Sequence, residues 1–308
     1  AHWFSPWFLI GKNCFYHVWE SACSSSERVQ RVDIKVDSNI CQNQEKDKKS
    51  EGHLVYHHAN DHICYSKLNT EFVFDSFIQG DSNQLAYYAC RHIASNVLDQ
   101  HPYGKGLLIY SNVGLGKTHL LHAIGNEVKL RFPDIKVGCF TAERFMYSYV
   151  SAIKRNNLIG FRDTISELDI LLLDDLQFLC GKLGTEKEFM HIFDEFMGLG
   201  KALIITSDQH PQQMELSNRN RSRINACMTI RIVKPESSLK IKILQHKIQS
   251  FKGIIDQNDS LIKDMLWTIS QQEQESIRGL ESTLQKILTY CDLMNVELNA
   301  AVIEKIIR

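Results

Sequence analysis

The chain has 308 residues, which is long enough to bury a sizeable core and to form more than one domain. Its 35 Lys and Arg residues balance 36 Asp and Glu residues for a formal net charge of -1, which argues against a broad basic surface for nucleic acid but leaves local patches open. The nine cysteines form no Cys-x-x-Cys pair, which favours reduced thiols over a disulfide framework. With no apolar run long enough for a membrane span and no signal-peptide order at the start, we expect a cytoplasmic protein.

Two N-terminal zones precede the first predicted strand. Residues 1–32 are rich in aromatic side chains but too few for an independent core, so we interpret them as part of a larger module. Residues 33–66 are mostly polar, and the run at 42–51 has nothing to bury, which is typical of a linker. Histidines and Cys64 follow this run. Their spacings match no closed zinc site, and we favour a solvated linker over a metal site.

Residues 67–233 alternate short apolar runs with amphipathic stretches. The apolar runs are residues 106–110, 137–140, 170–173, 202–205 and 228–232. Near-continuous apolar runs indicate strands buried on both faces, and their alternation with helices predicts a parallel α/β sheet with right-handed crossovers. Phe189, Phe193 and Phe196 recur at helical spacing, so we expect them to pack on the sheet.

The strand signal stops near residue 234, and residues 234–308 are predicted to be a small helical domain. The helical patterns cover residues 239–251, 259–271, 276–293 and 299–307. The sequence therefore predicts an α/β domain at 67–233 followed by an all-helical domain.

A phosphate-binding loop follows the strand at 106–110 and precedes an amphipathic helix. This order of strand, glycine-rich turn and helix lets backbone N–H groups surround phosphate oxygens. Lys117 supplies charge for the β- and γ-phosphates, and Thr118 supplies a hydroxyl for Mg²⁺, so we predict ATP and Mg²⁺ as ligands. The predicted nucleotide-binding residues are Ser111, Asn112, Val113, Gly114, Leu115, Gly116, Lys117, Thr118 and His119.

One position of the loop departs from the G-x-x-x-x-G-K-[ST] pattern. Ser111 stands where the pattern has its first glycine, and serine takes a strongly positive φ only with strain. Two alternatives to a working loop follow: a chance match, which the flanking strand and helix disfavour, and a loop that forms but binds nucleotide more weakly.

Acidic residues follow two of the predicted strands. Asp174 and Asp175 come after the run at 170–173, and Asp208 follows the run at 202–205. Ligands of parallel sheets bind beyond the carboxyl ends of the strands. We therefore expect Asp174 to hold Mg²⁺ and Asp175 to orient an attacking water. An ordinary acidic turn is the alternative, and the phosphate loop makes it the weaker one for the Asp pair.

Several motifs, in order along the chain, resemble those of the bacterial replication initiator DnaA, an AAA+ ATPase. The resemblance covers about residues 67 to 308. The matching segments are residues 74–83, 119–126, 141–145 and 174–178, then Gly181 with Lys182, Arg219, Ser222 with Arg223, and residues 277–281.

The resemblance implies an AAA+ P-loop parallel sheet with helices on both faces, followed by a helical lid. It implies ATP-controlled oligomerisation at the chromosomal origin for strand opening, with slow ATP turnover and ATP acting mainly as a conformational signal. Its partners would be further copies of the chain, origin DNA that is mainly single-stranded, and the replicative helicase. The implied residue roles are Walker B acids for Asp174 and Asp175, sensor 1 for Asp208, sensor 2 for Arg278, a finger acting in trans for Arg223, and single-strand DNA contacts for Val150 and Lys182.

The chain also departs from the family pattern. Residues 224–227 replace a Phe-Gly-Trp-Gly-like run, and Gly184 stands where a basic residue often assists DNA binding. Residues 1–32 resemble the family's N-terminal interaction domain only faintly, so they are interpreted as its remnant. The lid ends at Arg308 without the family's helix-turn-helix domain, so we expect no sequence-specific duplex recognition. A helicase loader, an initiator regulator and a truncated initiator stay open as alternatives.

Overall fold

A computed structural model describes residues 65–97, 106–249, 260–271 and 276–307 of the chain. The aromatic segment at 1–32 and nearly all of the predicted linker at 33–66, including its histidines and Cys64, lie outside the described residues. Across the described ranges, no helix combines the length and the apolar composition needed to cross a bilayer.

Five parallel strands form one sheet in the order β2-β3-β4-β1-β5. The strands are β1 Gly106–Tyr110, β2 Val137–Thr141, β3 Ile170–Asp174, β4 Ala202–Ser207 and β5 Met228–Arg231. Every residue of β3 and β4 is buried, as expected for strands covered on both faces. The predicted parallel α/β sheet is confirmed.

Helices cover both faces of this sheet. The helices that accompany it are α1 Gln84–Ser95, α2 Lys117–Arg131, α3 Ala142–Lys154, α4 Leu158–Ser166, α5 Leu183–Gly198 and α6 Asn218–Ile224. Successive strand residues point to opposite faces, so Leu107 packs with α1 and α2 whereas Leu108 packs with α3, α4 and α5. Phe189, Phe193 and Phe196 are buried in the second of these clusters, as their spacing predicts.

The C-terminal part is a bundle of helices with an apolar core of its own. Its helices are α7 Ser237–Gln249, α8 Ser260–Ser270, α9 Ile277–Met294 and α10 Ala300–Ile307, all within two residues of the predicted bounds. Leu244, Met265, Leu284 and Ile303, one from each helix, share one buried cluster. The predicted all-helical lid is therefore present.

Candidate nucleotide site

The loop between β1 and α2 is shaped by two glycines. Gly114 and Gly116 have φ angles of 78° and 97°, in the left-handed region that favours glycine. A Cβ atom on Gly116 would lie 2.9 Å from Cε2 of Phe77, and one on Gly114 would lie 2.7 Å from Cβ of Ser276. Backbone conformation and space therefore both require glycine at these positions. The loop leads directly into the N-terminus of α2, where free N–H groups attract anions.

Lys117 is folded against this loop. Its side chain is buried, with 6% exposed, and Nζ donates hydrogen bonds to the carbonyl oxygens of Ser111 at 2.8 Å and Asn112 at 3.1 Å. Burial lowers the pKa of the Lys117 ammonium, and the nearby carboxylates of Asp175, Asp208 and Asp174 act in the opposite direction. The loop thus holds a buried cation against its own carbonyl oxygens, at the N-terminus of α2.

Ser111 fits the loop without backbone strain. It is absent from the residues with positive φ in the described part of the chain. Its N–H donates to the carbonyl oxygen of Ser207 on β4 at 3.2 Å, and its Oγ donates to the carbonyl oxygen of Asn112 at 2.9 Å. We expected weaker nucleotide binding because a positive φ would strain Ser111. The structure shows no such strain at this residue.

Asp174 lies at the centre of a hydrogen-bond network between the loop and two strands. Thr118 Oγ1 donates to Oδ2 of Asp174 at 2.8 Å, and Thr206 Oγ1 on β4 donates to Oδ1. Burial raises the pKa of the Asp174 carboxyl, and the hydrogen bonds from Thr206 and Thr118 lower it. Carboxylate and hydroxyl oxygens are Mg²⁺ ligands, and Mg²⁺ commonly takes only one or two of them from the protein. The donor set at Asp174 and Thr118 fits that ion.

Asp175 and Asp208 lie at the ends of neighbouring strands. Asp175 has a left-handed backbone, with φ 63° and ψ 51°, and its N–H donates to Thr206 Oγ1 at 3.0 Å. Gln177 joins the two acids: its Nε2 donates to Asp175 Oδ1 at 3.1 Å, and its Oε1 accepts from the Asp208 N–H at 3.1 Å. Oδ1 of Asp208 is buried and finds no hydrogen-bond partner within the ranges described. Unpartnered buried polar atoms are rare in native proteins, and a bound ion or water at this oxygen would account for this one.

The lid reaches the loop through the start of α9. The N–H groups of Ile277 and Arg278 point at the carbonyl oxygen of Gly114, at 3.0 and 3.4 Å. The Arg278 side chain is exposed, and its charge contributes to lowering the pKa of Lys117. Arg278 therefore lies close enough to the loop for its charge to act there.

Comparisons with known proteins identify this arrangement. The family model described as "Bacterial DnaA ATPAse domain" matches residues 68–231, which include the loop, both acidic strand ends and α6. The chain belongs to the bacterial DnaA ATPase family.

The chain is similar to curated DnaA proteins and to solved DnaA structures. It is 35% identical over 234 residues to the chromosomal replication initiator protein DnaA of Jannaschia sp. (strain CCS1), covering 75% of this chain and 48% of that protein. The DnaA of Pelobacter propionicus is 35% identical over 232 residues, covering 75% of this chain and 50% of that one. The chain therefore spans about half the length of these relatives.

Two DnaA structures extend the likeness to the fold. Domain III of Thermotoga maritima DnaA aligns with a TM-score of 0.70 at 31% identity, covering 78% of this chain and 97% of that one. A replication initiator DnaA bound to AMPPCP and single-stranded DNA aligns with a TM-score of 0.64 at 31% identity, covering 75% of this chain and 70% of that one. The predicted family and AAA+ fold are thereby confirmed.

The DnaA-like motif at residues 119–126, in α2, contacts the segment at residues 69–73. The ring of His119 stacks on Phe72 with centroids 4.7 Å apart, and its Nε2 lies 2.9 Å from the Val73 carbonyl oxygen. Asn126 donates to the carbonyl oxygens of Asn69 and Phe72 at 2.8 and 2.9 Å. Burial lowers the pKa of His119, which favours the neutral ring. His119, predicted as a nucleotide-binding residue, thus makes its contacts in the structure with the segment that precedes α1.

The arginine predicted as the DnaA finger lies on α6. Arg223 forms an ion pair with Asp194 of α5 at 2.9 Å, and the two side chains are 27% and 42% exposed. Arg219, one turn earlier, is exposed. The structure therefore gives Arg223 a counter-ion in its own chain.

The two residues predicted to contact DNA lie on adjoining elements. Val150 on α3 is 39% exposed, and Lys182, immediately before α5, is also exposed. A Cβ atom on Gly184 would lie 3.8 Å from Tyr149, so the start of α5 packs beside the helix that carries Val150. This part of the surface also exposes Leu183, which is 84% accessible.

Proposed function

We propose that this chain binds ATP with Mg²⁺ and uses the bound nucleotide as the signal for a replication-initiator assembly on single-stranded origin DNA in the cytoplasm. The observation that carries the proposal is the link from the phosphate loop to the strand acids: Thr118 bonds to Asp174, beside a buried Lys117. The names of the curated relatives and of the solved DnaA complex support the same function. No observation on the described residues favours a helicase loader, a regulator or a truncated initiator instead.

The roles in the proposed site follow from the contacts. The loop amides and Lys117 bind the phosphates, and the carboxylates around Lys117 counter the effect of burial on its charge. Thr118 and Asp174 would hold Mg²⁺, which when bound would draw charge from the phosphate oxygens. Asp175 orients a water whose oxygen bonds to the γ-phosphorus as the bond to the bridging oxygen breaks, giving ADP and phosphate. Asp208 acts as sensor 1 and Arg278 as sensor 2, so both detect whether the γ-phosphate is present.

The proposed domain division follows the same family pattern. Residues 67–233 form the nucleotide-binding domain and 234–308 the lid, with residues 1–32 and 33–66 as an N-terminal segment and a linker. The separate apolar cores of the sheet and of the helical bundle support the boundary near residue 233.

ATP should promote self-association, and ADP should not. Arg223 reaches a neighbour's γ-phosphate only after leaving Asp194, and a charge-assisted bond to phosphate is stronger than a half-exposed ion pair. Sedimentation should therefore show larger species with ATP, and Arg223→Ala should remove the difference. Asp194→Asn should leave assembly equal or up to about fivefold tighter, because an exposed pair is worth about 0–1 kcal/mol.

Arg131 provides the matched control for this experiment. It forms an ion pair with Glu127 on α2 at 2.6 Å, so Arg131→Ala removes a comparable surface arginine away from α6. This variant should sediment as the parent does in both nucleotides. Equal sedimentation of the parent with ATP and with ADP would contradict the assembly proposal.

With ATP present, the chain should bind single-stranded oligonucleotide more tightly than origin or scrambled duplex. Lys182→Ala should weaken single-strand binding severalfold and make its dependence on salt shallower, because each lost phosphate contact lowers the salt slope by about 0.7. Lys263→Ala, on the exposed surface of α8, is the control. A titration at two salt concentrations measures both effects. Tighter binding to origin duplex than to single strands would argue against the proposed partner.

A further inference from the structure

Gln177 joins the ends of two neighbouring strands at the candidate site. It lies in the short 3₁₀ turn Leu176–Phe178 that follows β3, where Leu176 is buried and anchors the turn. Both functional atoms of its side-chain amide are engaged. Nε2 donates to the carboxylate of Asp175, and Oε1 accepts from the backbone N–H of Asp208. One neutral side chain therefore links the acid after β3 to the acid after β4.

This link fixes an otherwise rotatable carboxylate. The backbone of Asp175 is held by Thr206, but its side chain is free to rotate about two single bonds unless a partner selects one rotamer. Gln177 supplies that partner at Oδ1, and Oδ2 takes no part in this hydrogen bond. An amide donor achieves this without neutralising the carboxylate, as a lysine would, and without repelling it, as a glutamate would.

We propose that Gln177 is a positioning residue for ATP hydrolysis, which holds the Asp175 carboxylate in the orientation that aligns the attacking water and couples it to the sensor position Asp208. The inference rests on the proposed function. On this proposal, hydrolysis needs more than the phosphate loop and the two acids. It also needs Gln177 to keep Asp175 and Asp208 correctly placed relative to each other. Misplacement of a water-orienting group by about 1 Å can reduce a rate about 100-fold, so the expected effect is on turnover.

Two substitutions separate the two hydrogen bonds. Gln177→Met removes both and should lower the single-turnover rate of ATP hydrolysis about 10- to 100-fold, with the dissociation constant for a fluorescent ATP analogue within about threefold of the parent. Gln177→Glu keeps the acceptor for the Asp208 N–H but places a negative charge against Asp175, so its rate should fall at least as far. Hydrogen exchange of the Asp208 amide, measured without nucleotide, should accelerate in Gln177→Met and stay near the parent rate in Gln177→Glu.

A double-mutant cycle distinguishes positioning from a general structural role. If Gln177 acts through Asp175, then Gln177→Met should lower the rate little further in an Asp175→Asn background, whereas independent effects would multiply. Gln213→Met, at an exposed position of the 3₁₀ turn Pro211–Gln213, is the matched control and should hydrolyse ATP at the parent rate. Thermal unfolding of each variant checks that it is folded.

The outcomes separate this proposal from the nucleotide-binding one. A folded Gln177→Met variant with parental turnover, rate losses that multiply in the cycle, or a parent that binds ATP without hydrolysing it would each overturn the role of Gln177. All three leave ATP binding intact. Loss of ATP binding by the parent itself would instead remove the proposed function on which the role rests.

Discussion

Replacing Lys117 by alanine should weaken ATP binding at least about 100-fold, because it removes a buried cation that can make charge-assisted hydrogen bonds to phosphate. The loss is aggravated by the surroundings. The carboxylates of Asp175, Asp208 and Asp174 act on Lys117, and without its charge their repulsion of the phosphates is less compensated. Titration of a fluorescent ATP analogue against parent and variant measures the change.

The fold should survive this substitution. Lys117 bonds to the carbonyl oxygens of Ser111 and Asn112 in the loop, and Asn112 is exposed, so water can replace part of what is lost. Lys129→Ala removes an exposed lysine from the same helix and should leave ATP affinity unchanged. A folded Lys117→Ala variant with parental affinity would show that the nucleotide binds elsewhere.

Replacing Asp175 by asparagine should slow ATP hydrolysis at least about 100-fold, the range expected for loss of a group that orients or accepts from the attacking water. The substitution is nearly isosteric and keeps an oxygen for the Gln177 amide, so ATP affinity should stay within about threefold of the parent. Single-turnover hydrolysis with labelled ATP, at saturating protein, separates turnover from binding.

Asp174→Asn provides the contrast within the same pair of acids. It alters the carboxylate that accepts from Thr118 and Thr206, so the Mg²⁺-dependent part of ATP affinity should fall as well as the rate. Asp264→Asn, on the exposed surface of α8, should change neither quantity. If Asp175→Asn turned over ATP as fast as the parent, the water-orienting role would have to be given to another residue.

Sequence patterns located the strands well but not their order. Apolar runs report burial, which is why the bounds of β1 agree with the prediction. They do not report which strand lies beside which, and the position of β4 between β3 and β1 came from the structure alone. β3 also extends to Asp174, because this acid pairs in register with Thr141 at the end of β2 and is buried with the strand. A polarity pattern ends the strand one residue too early.

The same limit applies to the site. Lys117 and Thr118 were recognisable because a phosphate loop is a local motif whose backbone geometry follows from adjacent residues. Thr206 and Gln177 were not assigned roles, because their contacts depend on β4 lying beside β3. A threonine at the end of an apolar strand was the available signal for the first. The ion pair between Arg223 and Asp194 joins α6 to α5 across β4, and no spacing rule predicts it.

The contact between the lid and Gly114 joins the helical bundle to the phosphate-binding loop. The N–H groups of Ile277 and Arg278, in the first turn of α9, donate to the Gly114 carbonyl oxygen. Ser276 occupies the space that a Cβ atom on Gly114 would need, so the start of the lid packs directly against the loop. A displacement of the lid would therefore break both hydrogen bonds to Gly114, and a change in the shape of the loop would in turn disturb the start of α9.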